Sequence, residues 1–341
     1  MPKVVQSFPL QQQKGRKAIS NQLNGWQFPI KNIIDVAGVA PVLSSIGQSE
    51  FTQGSNISGV VITGTGFTGA TSISLGAGIT INSFDVTDDN NINIIDADVD
   101  QNALIGNRDV SVTTPSGTGT LLNGCQVIFG FGNALKFDGV NDFVSFPTIS
   151  KTTSFTISGW FKLDDNGGYS YLLSSSVTNH GFAAASGGTF IGGDSKAIYY
   201  YPGSGALQKI ASYPSFGQWF HLAFTYSGTI LSVYVNGVFS NSQAISITGD
   251  FNQIGRLYTG ANFLNGLADE CGIDMTQAAT AQNITDLYNG GSGADFVGVM
   301  GSADLYYKFN ESGTAITAVD SSGNGNNGTL NNFSGTYWVA H

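Results

Sequence analysis

The sequence predicts an all-β chain: two β-sandwiches in tandem behind a basic N-terminal segment. Three observations carry this. Apolar residues recur with period 2 through most of the chain, which sets them on one face of pleated strands. Glycine, at 46 of 341 residues, breaks these runs at short intervals. Charged residues make up only 11 % while aromatics reach 12 %, a balance of strands and tight turns rather than disorder.

Residues 1–38 hold no sustained period. Five basic residues, Lys3, Lys14, Arg16, Lys17 and Lys31, precede the first acid, Asp35; the remainder carries 8 basic against 23 acidic residues, a net of −15. A basic segment ahead of an acidic body suits a docking arm. Lys14, Arg16 and Lys17 supply its charge, and Trp26 and Phe28 are its apolar anchors. A solvated terminus is the plainer alternative. Five charges over 31 residues are too thin a signature for nucleic acid. A secretory signal needs an apolar run of roughly 7–15 residues after its basic start. Gln11-Gln12-Gln13-Lys14 stands there instead. No apolar stretch reaches the roughly 18 residues of a membrane span.

Residues 39–128 are expected to form the first sandwich. Gly59-Val60-Val61-Ile62-Thr63 is a strand stopped at Gly64; Ser72 to Leu75, Asn91 to Ile95 and Asp109 to Thr113 alternate. Three stretches resemble the IPT/TIG immunoglobulin-like family: Pro41 to Ile46, Ile62 to Phe67 and Val110 to Gly117. The resemblance implies a spacer or interaction module with no catalytic residues. Six aspartates lie between Asp85 and Asp100, without the spacing or glycine of a calcium loop, and are expected in a solvated hairpin.

Residues 129–341 are expected to form the second sandwich. Phe155, Ile157, Phe161 and Leu163 share a face; so do Phe220, Leu222, Phe224 and Tyr226; so do Leu231, Val233 and Val235. Trp160 and His221 face the other way and are expected to pack. One short helix is predicted from Thr280 to Tyr288. Six motifs, in order, resemble laminin-G-like, concanavalin A-like jelly rolls. They are Phe137-Asp138-Gly139-Val140-Asn141-Asp142-Phe143-Val144, Phe155 to Phe161, Trp219 to Ala223, Tyr234-Val235-Asn236-Gly237, Gly266-Leu267-Ala268-Asp269-Glu270, and Asp320 to Leu330. The last is expected to be a hydrogen-bonded turn.

That fold hosts lectins, hydrolases and inert spacers, so chemistry must be read from residues. Glycoside hydrolysis needs two carboxylates across the scissile bond. Strand alternation puts Asp269 on the face opposite Glu270, so no catalytic pair is expected. The three histidines, His180, His221 and His341, share no ligand spacing, and no nucleophile elbow or phosphate loop appears. Cys125 and Cys271 are expected as free thiols. The resemblance suggests a structural calcium on Asp138, Asp142 and Asp269; the alternative is turn hydrogen bonding for the first two and a bond from Asp269 to buried backbone at the sheet edge. Tyr199, Tyr200 and Tyr201 are the best candidate platform for a glycan, because alternation turns at least one ring out of the core. Packing or a subunit contact is the other reading.

These observations lead to an expected function. The chain reads as a non-enzymatic phage virion surface protein: a capsid decoration protein, head fibre or tail-associated adhesin. Its arm would bind other virion proteins, its jelly roll would hold host or mucus glycans, and it would assemble as a homo-oligomer. The alternatives are a purely structural virion protein and a cell-surface adhesin of a bacterium.

Overall fold

The computed structural model describes residues 38–100, 103–186, 195–247 and 249–341, and the backbone of Gln22–Leu23 and Trp26–Gln27. Lys14, Arg16, Lys17 and Phe28 lie outside the described residues. Trp26 is described only as backbone, paired with Leu23. The chain divides into two compact units, Met1–Ile128 and Phe129–His341.

In the first unit, strands Glu50–Thr52, Gly117–Ile128, Gly106–Thr114 and Ser72–Ser74 form one sheet, in that order. A second sheet runs Val42–Ile46, Val60–Thr65, Asn91–Val99 and Asn56–Ile57, with Ile79–Val86 also paired to Asn91–Val99. Both sheets feed one apolar core that includes Phe51, Ile62, Phe67, Ile92, Ile94, Val110 and Val127. The aspartate-rich stretch is the Ile79–Val86/Asn91–Val99 hairpin. Asp88 closes its turn by accepting from the Asn90 amide at 2.6 Å, and Asn56 and Asn82 donate to Asp96 and Asp98.

The second unit packs two eight-stranded sheets face to face. The front sheet runs Val238–Ala244, Ile230–Val235, Trp219–Ser227, Ser154–Leu163, Asn265–Asp274, Asn133–Asp138 and Trp338–Ala340. Leu305–Tyr307 also pairs with Asn265–Asp274. The back sheet runs Gln208–Ser212, Ala197–Tyr201, Gly181–Ser186, Gly168–Ser174, Phe251–Ile254, Phe143–Ile149, Gly328–Asn331 and Thr317–Ala318. Every face assigned by alternation on the three front strands points into the core between the sheets, with Val235 only partly buried there. Phe182 of the back sheet stacks on Phe224 of the front, ring centroids 4.0 Å apart. Asn236 and Gly237 both take positive φ, 50° and 73°, as the two-residue turn of a hairpin with right-twisted strands requires.

The outer face of the front sheet is also covered, and here helices do the covering. Ala281–Tyr288 begins at Thr280, whose Oγ1 accepts from the Asn283 amide while Asn283 Oδ1 accepts from the Thr280 amide. Its Ile284 and Leu287 are buried against Ala223, Tyr234 and Tyr306. A second helix, Phe296–Met300, is capped by Asp295, whose Oδ1 accepts from Gly298 at 2.7 Å. Five residues are too short for a periodic signal, so the sequence did not reveal it. Gly272 lets this helix approach: a Cβ there would meet the Phe296 ring at 2.4 Å. Both cysteines are free and buried, Cys271 in the core between the sheets and Cys125 in the first unit. Asp320 is saturated, accepting from the Tyr306, Ser322 and Asn326 amides and the Ser322 hydroxyl, as expected of a turn. Among the described residues no helix is long and apolar enough to cross a membrane.

Candidate functional site

The three tyrosines do not form an exposed platform. Alternation holds: Tyr200 enters the inter-sheet core and Tyr199 turns outward. Yet Tyr199 is only 1 % exposed, because Tyr169 meets it edge-on at 5.7 Å and Leu207 packs beside it. Tyr201 is half-buried. Alternation gives direction, and direction equals exposure only where nothing covers the outer face.

The three proposed calcium ligands do not converge either. Asp138 stands opposite Asn265 in the ladder, four residues and about 13 Å along the strand from Asp269. Asp138 Oδ1 accepts from the Val140 and Asn141 amides at 2.8 and 3.2 Å, and Asp142 Oδ2 accepts from the Asp138 amide at 3.0 Å. These two close a turn. Burial, and then the Asp138 charge, push the Asp142 carboxyl up to about 6. Among the described residues no group of three histidine, cysteine or acidic side chains is placed to hold a metal. Asp138, Asp142 and Asp269 therefore do not fit the calcium cage that the sequence suggested.

Asp269 instead belongs to a buried cluster on the outer face of the front sheet. A β-bulge opposite Gly159 carries Glu270 at φ 49°. It cancels one step of alternation, so Asp269 and Glu270 both point outward, while Ala268 and Cys271 point into the core. The expectation of opposite faces is corrected by this bulge. Asp269 is fully buried, and His341 Nδ1 lies 2.6 Å from its Oδ2. The His341 ring is stacked between Phe131 at 3.7 Å and Trp219 at 3.9 Å. Burial drives both partners toward their neutral forms. Asp269 is raised by burial and then by Glu270, and His341 is lowered to about 4 by burial and then by Lys162. One proton shared across this contact satisfies both.

Glu270 is 4 % exposed and accepts a hydrogen bond from the Tyr306 hydroxyl. Burial pushes its carboxyl up to about 8, against the Tyr306 bond and the nearby Lys308 charge. Lys308 itself pairs with Asp295 at 2.8 Å. His221 stands opposite Trp160 on the neighbouring strand, its Nε2 2.7 Å from Ser158 Oγ, and burial lowers it to about 3. Ser158, His221 and Asp269 do not make a nucleophilic triad: the carboxylate is paired with His341, and all three are buried. Trp160 and His221 pack, as their motifs led us to expect. What sequence reasoning missed is the meeting of Asp269 with His341, beside a second buried carboxyl, Glu270. The available signal was two consecutive acids flanked by the uncharged runs Gly266 to Ala268 and Cys271 to Ile273 of one strand.

An open cleft lies at the far edge of this unit. The edge strands Gln208–Ser212 and Val238–Ala244 belong to different sheets and are bridged by side chains. Asn241 Nδ2 donates to the Ile210 carbonyl at 3.1 Å, and Gln243 Nε2 to the Lys209 carbonyl at 2.8 Å. The cleft has a volume of about 340 Å³ and is lined by Lys209, Ile210, Ala211, Ser212, Ser240 and Asn241. Ser240 is the extra residue of a bulge, since Val233 pairs with Asn241 and Tyr234 with Phe239.

Residues 138–285 match the family described as the concanavalin A-like lectin/glucanases superfamily, of laminin G type. The second unit therefore contains a concanavalin A-like lectin/glucanase domain. No curated protein matches this sequence. Among solved structures, a Bacteroides ovatus protein described as a candidate carbohydrate-binding protein is 17 % identical, at TM-score 0.48, over 87 % of this chain and 99 % of its own. A heptameric SAP-like pentraxin of Limulus polyphemus is 16 % identical, at TM-score 0.34, over 45 % of this chain and 83 % of its own. Domain 4 of a Geobacillus stearothermophilus extracellular arabinanase, solved with arabinotriose, is 16 % identical, at TM-score 0.32, over 63 % of this chain and 86 % of its own.

Proposed function

We propose that the second unit is a carbohydrate-binding jelly roll that does not hydrolyse its ligand. The observation that carries this is the sealing of the Asp269–Glu270 pair within a concanavalin A-like domain. A glycosidase must bring both carboxyls to a bound sugar, one on each side of the scissile bond. Here one carboxyl is held by His341, whose ring is stacked between Phe131 and Trp219, and the other by Tyr306, which packs with residues of the two helices. The full chain is expected to bind members of a glycan array and to release no reducing ends from them. Release of reducing ends, lost in Glu270→Gln, would make it an enzyme. Absence of binding across the array would end the carbohydrate reading.

The first unit is read as an immunoglobulin-like spacer of IPT/TIG type, on the three motifs quoted above and its two-sheet core. The basic first segment is read as the arm that fixes the chain to a virion surface, on its five positive charges before the first acid. Particles supplied with protein lacking residues 1–38 should carry none of it. Undiminished attachment would exclude the arm.

A further inference from the structure

We propose that Lys308 and Asp295 condense into an intramolecular isopeptide bond, a covalent link between the front sheet of the second unit and the helix Phe296–Met300 that covers it. The two side chains already touch: Lys308 Nζ lies 2.8 Å from Asp295 Oδ2, and they are only 12 % and 21 % exposed. Lys308 directly follows Leu305–Tyr307. The pairing of Tyr306 with Gly272 and of Tyr307 with Cys271 carries it toward Glu270 on the neighbouring strand. Its ammonium stands over the Tyr306 ring, 5.5 Å from the centroid, and that ring packs against Phe296 at 5.8 Å. An ion pair set among aromatic rings gives up hydration that its mutual attraction only partly restores. An amide in its place carries no charge and removes that cost. Contact supplies the rest, because groups held at reacting distance behave as if present at a concentration far above any in solution.

The surrounding groups match what the condensation needs. The Gly298 amide donates to Asp295 Oδ1 at 2.7 Å, and Oδ1 is the oxygen on which negative charge develops when Nζ adds to Cγ. Oδ2, which faces Lys308, is the oxygen that leaves. Oδ1 stays as the amide oxygen, so its bond from Gly298 survives. Glu270 is the proton carrier. It is buried, its carboxyl keeps a proton at neutral pH, and the charges of Lys308 and Asp295 both act on it. Its Oε2 accepts from the Tyr306 hydroxyl, while its Oε1 has no hydrogen-bond partner among the described residues. In the step, the Nζ–Cγ bond forms and the Cγ–Oδ2 bond breaks. Two of the three Nζ protons pass through Glu270 to Oδ2, which departs as water. One ammonium and one carboxylate become one amide and one water. Glu270 ends as it began, and no oxidant or co-reactant enters.

The test is mass spectrometry of digests of the full chain. Trypsin cuts after Lys308 only if its amine is free, and the preceding basic residue is Arg256. A condensed chain should therefore yield residues 257–341 as one peptide, lighter by the mass of one water, in place of 257–308 and 309–341. Cyanogen bromide cuts after Met275 and Met300, and the fragments 276–300 and 301–341 should stay joined through Asp295 and Lys308. Lys308→Arg keeps the charge but lacks the amine, so its fragments should separate at full mass. Glu270→Gln, with its fold certified by an unchanged circular dichroism spectrum, should join at least about tenfold more slowly than wild type after synthesis. Separate fragments from wild-type protein, fresh and aged, would overturn the bond whatever the variants do. Attachment of 301–341 to the fragment ending at Met275 would overturn Asp295 as the acceptor. Undiminished joining in Glu270→Gln would overturn the carrier role.

Discussion

Replacing Trp160 with alanine is expected to lower the stability of the second unit by about 3–5 kcal/mol. For a unit of this size that corresponds to a fall of roughly 6–20 °C in melting midpoint. Trp160 is 5 % exposed and sits at the centre of the outer-face cluster. It meets Phe131 edge-on at 5.1 Å, stacks on Tyr288 at 5.7 Å and lies 5.3 Å from His221. Its strand neighbours in the ladder are His221 on one side and Asp269 on the other. Truncation would remove these ring contacts and leave a cavity in a closely packed cluster, which is the source of the expected cost. Trp160→Phe keeps most of the contact and should lose less than half as much. Denaturant unfolding followed by circular dichroism reads both. An unchanged midpoint in Trp160→Ala would mean that the cluster does not pack as described.

The second expected result concerns pH. Glu270 has its carboxyl raised to about 8 in the folded protein, from the ordinary 4.5, by burial. Between these values the folded chain keeps a proton that the unfolded chain gives up. Stability from this group is therefore complete at low pH and declines as pH rises from about 4.5 to about 8, by about 1.4 kcal/mol per pH unit at the steepest. Above about 8 both states are ionised and the decline stops. Asp269 and Asp142, both raised, act in the same direction. Glu270→Gln removes the titration while leaving an acceptor for the Tyr306 hydroxyl. The variant should match wild type near pH 5 and exceed it by a few kcal/mol near pH 8, measured by denaturant midpoints across that interval. Identical pH profiles for the two proteins would show that Glu270 is ionised and solvated at neutral pH.

Both results concern a place that alternation alone described wrongly. The strand Asn265–Asp274 is apolar and periodic enough to be placed in the sheet, and its Ala268 and Ile273 enter the core. The bulge at Glu270 depends on the fit against Ser154–Leu163, more than a hundred residues earlier in the chain. The tyrosine cluster shows the same limit. Period 2 told inward Tyr200 from outward Tyr199, but Tyr169 and Leu207, which bury the outward ring, come from other segments. The cleft left no trace in the residues either, because Lys209 and Ser240 become neighbours only when the edges of two sheets meet.

The sequence by itself determined the all-β class, the faces of the long strands, the capped helix after Asp274 and the family of the second unit. All of these rest on signals between residues a few positions apart, or on short motifs kept in order. The tertiary structure alone decided which outward residues are covered, that Asp269 meets His341 while Asp138 and Asp142 meet each other, and where an open cleft remains. Those outcomes depend on strand register and on segments packed from far along the chain, and neither is a property of any local run of residues.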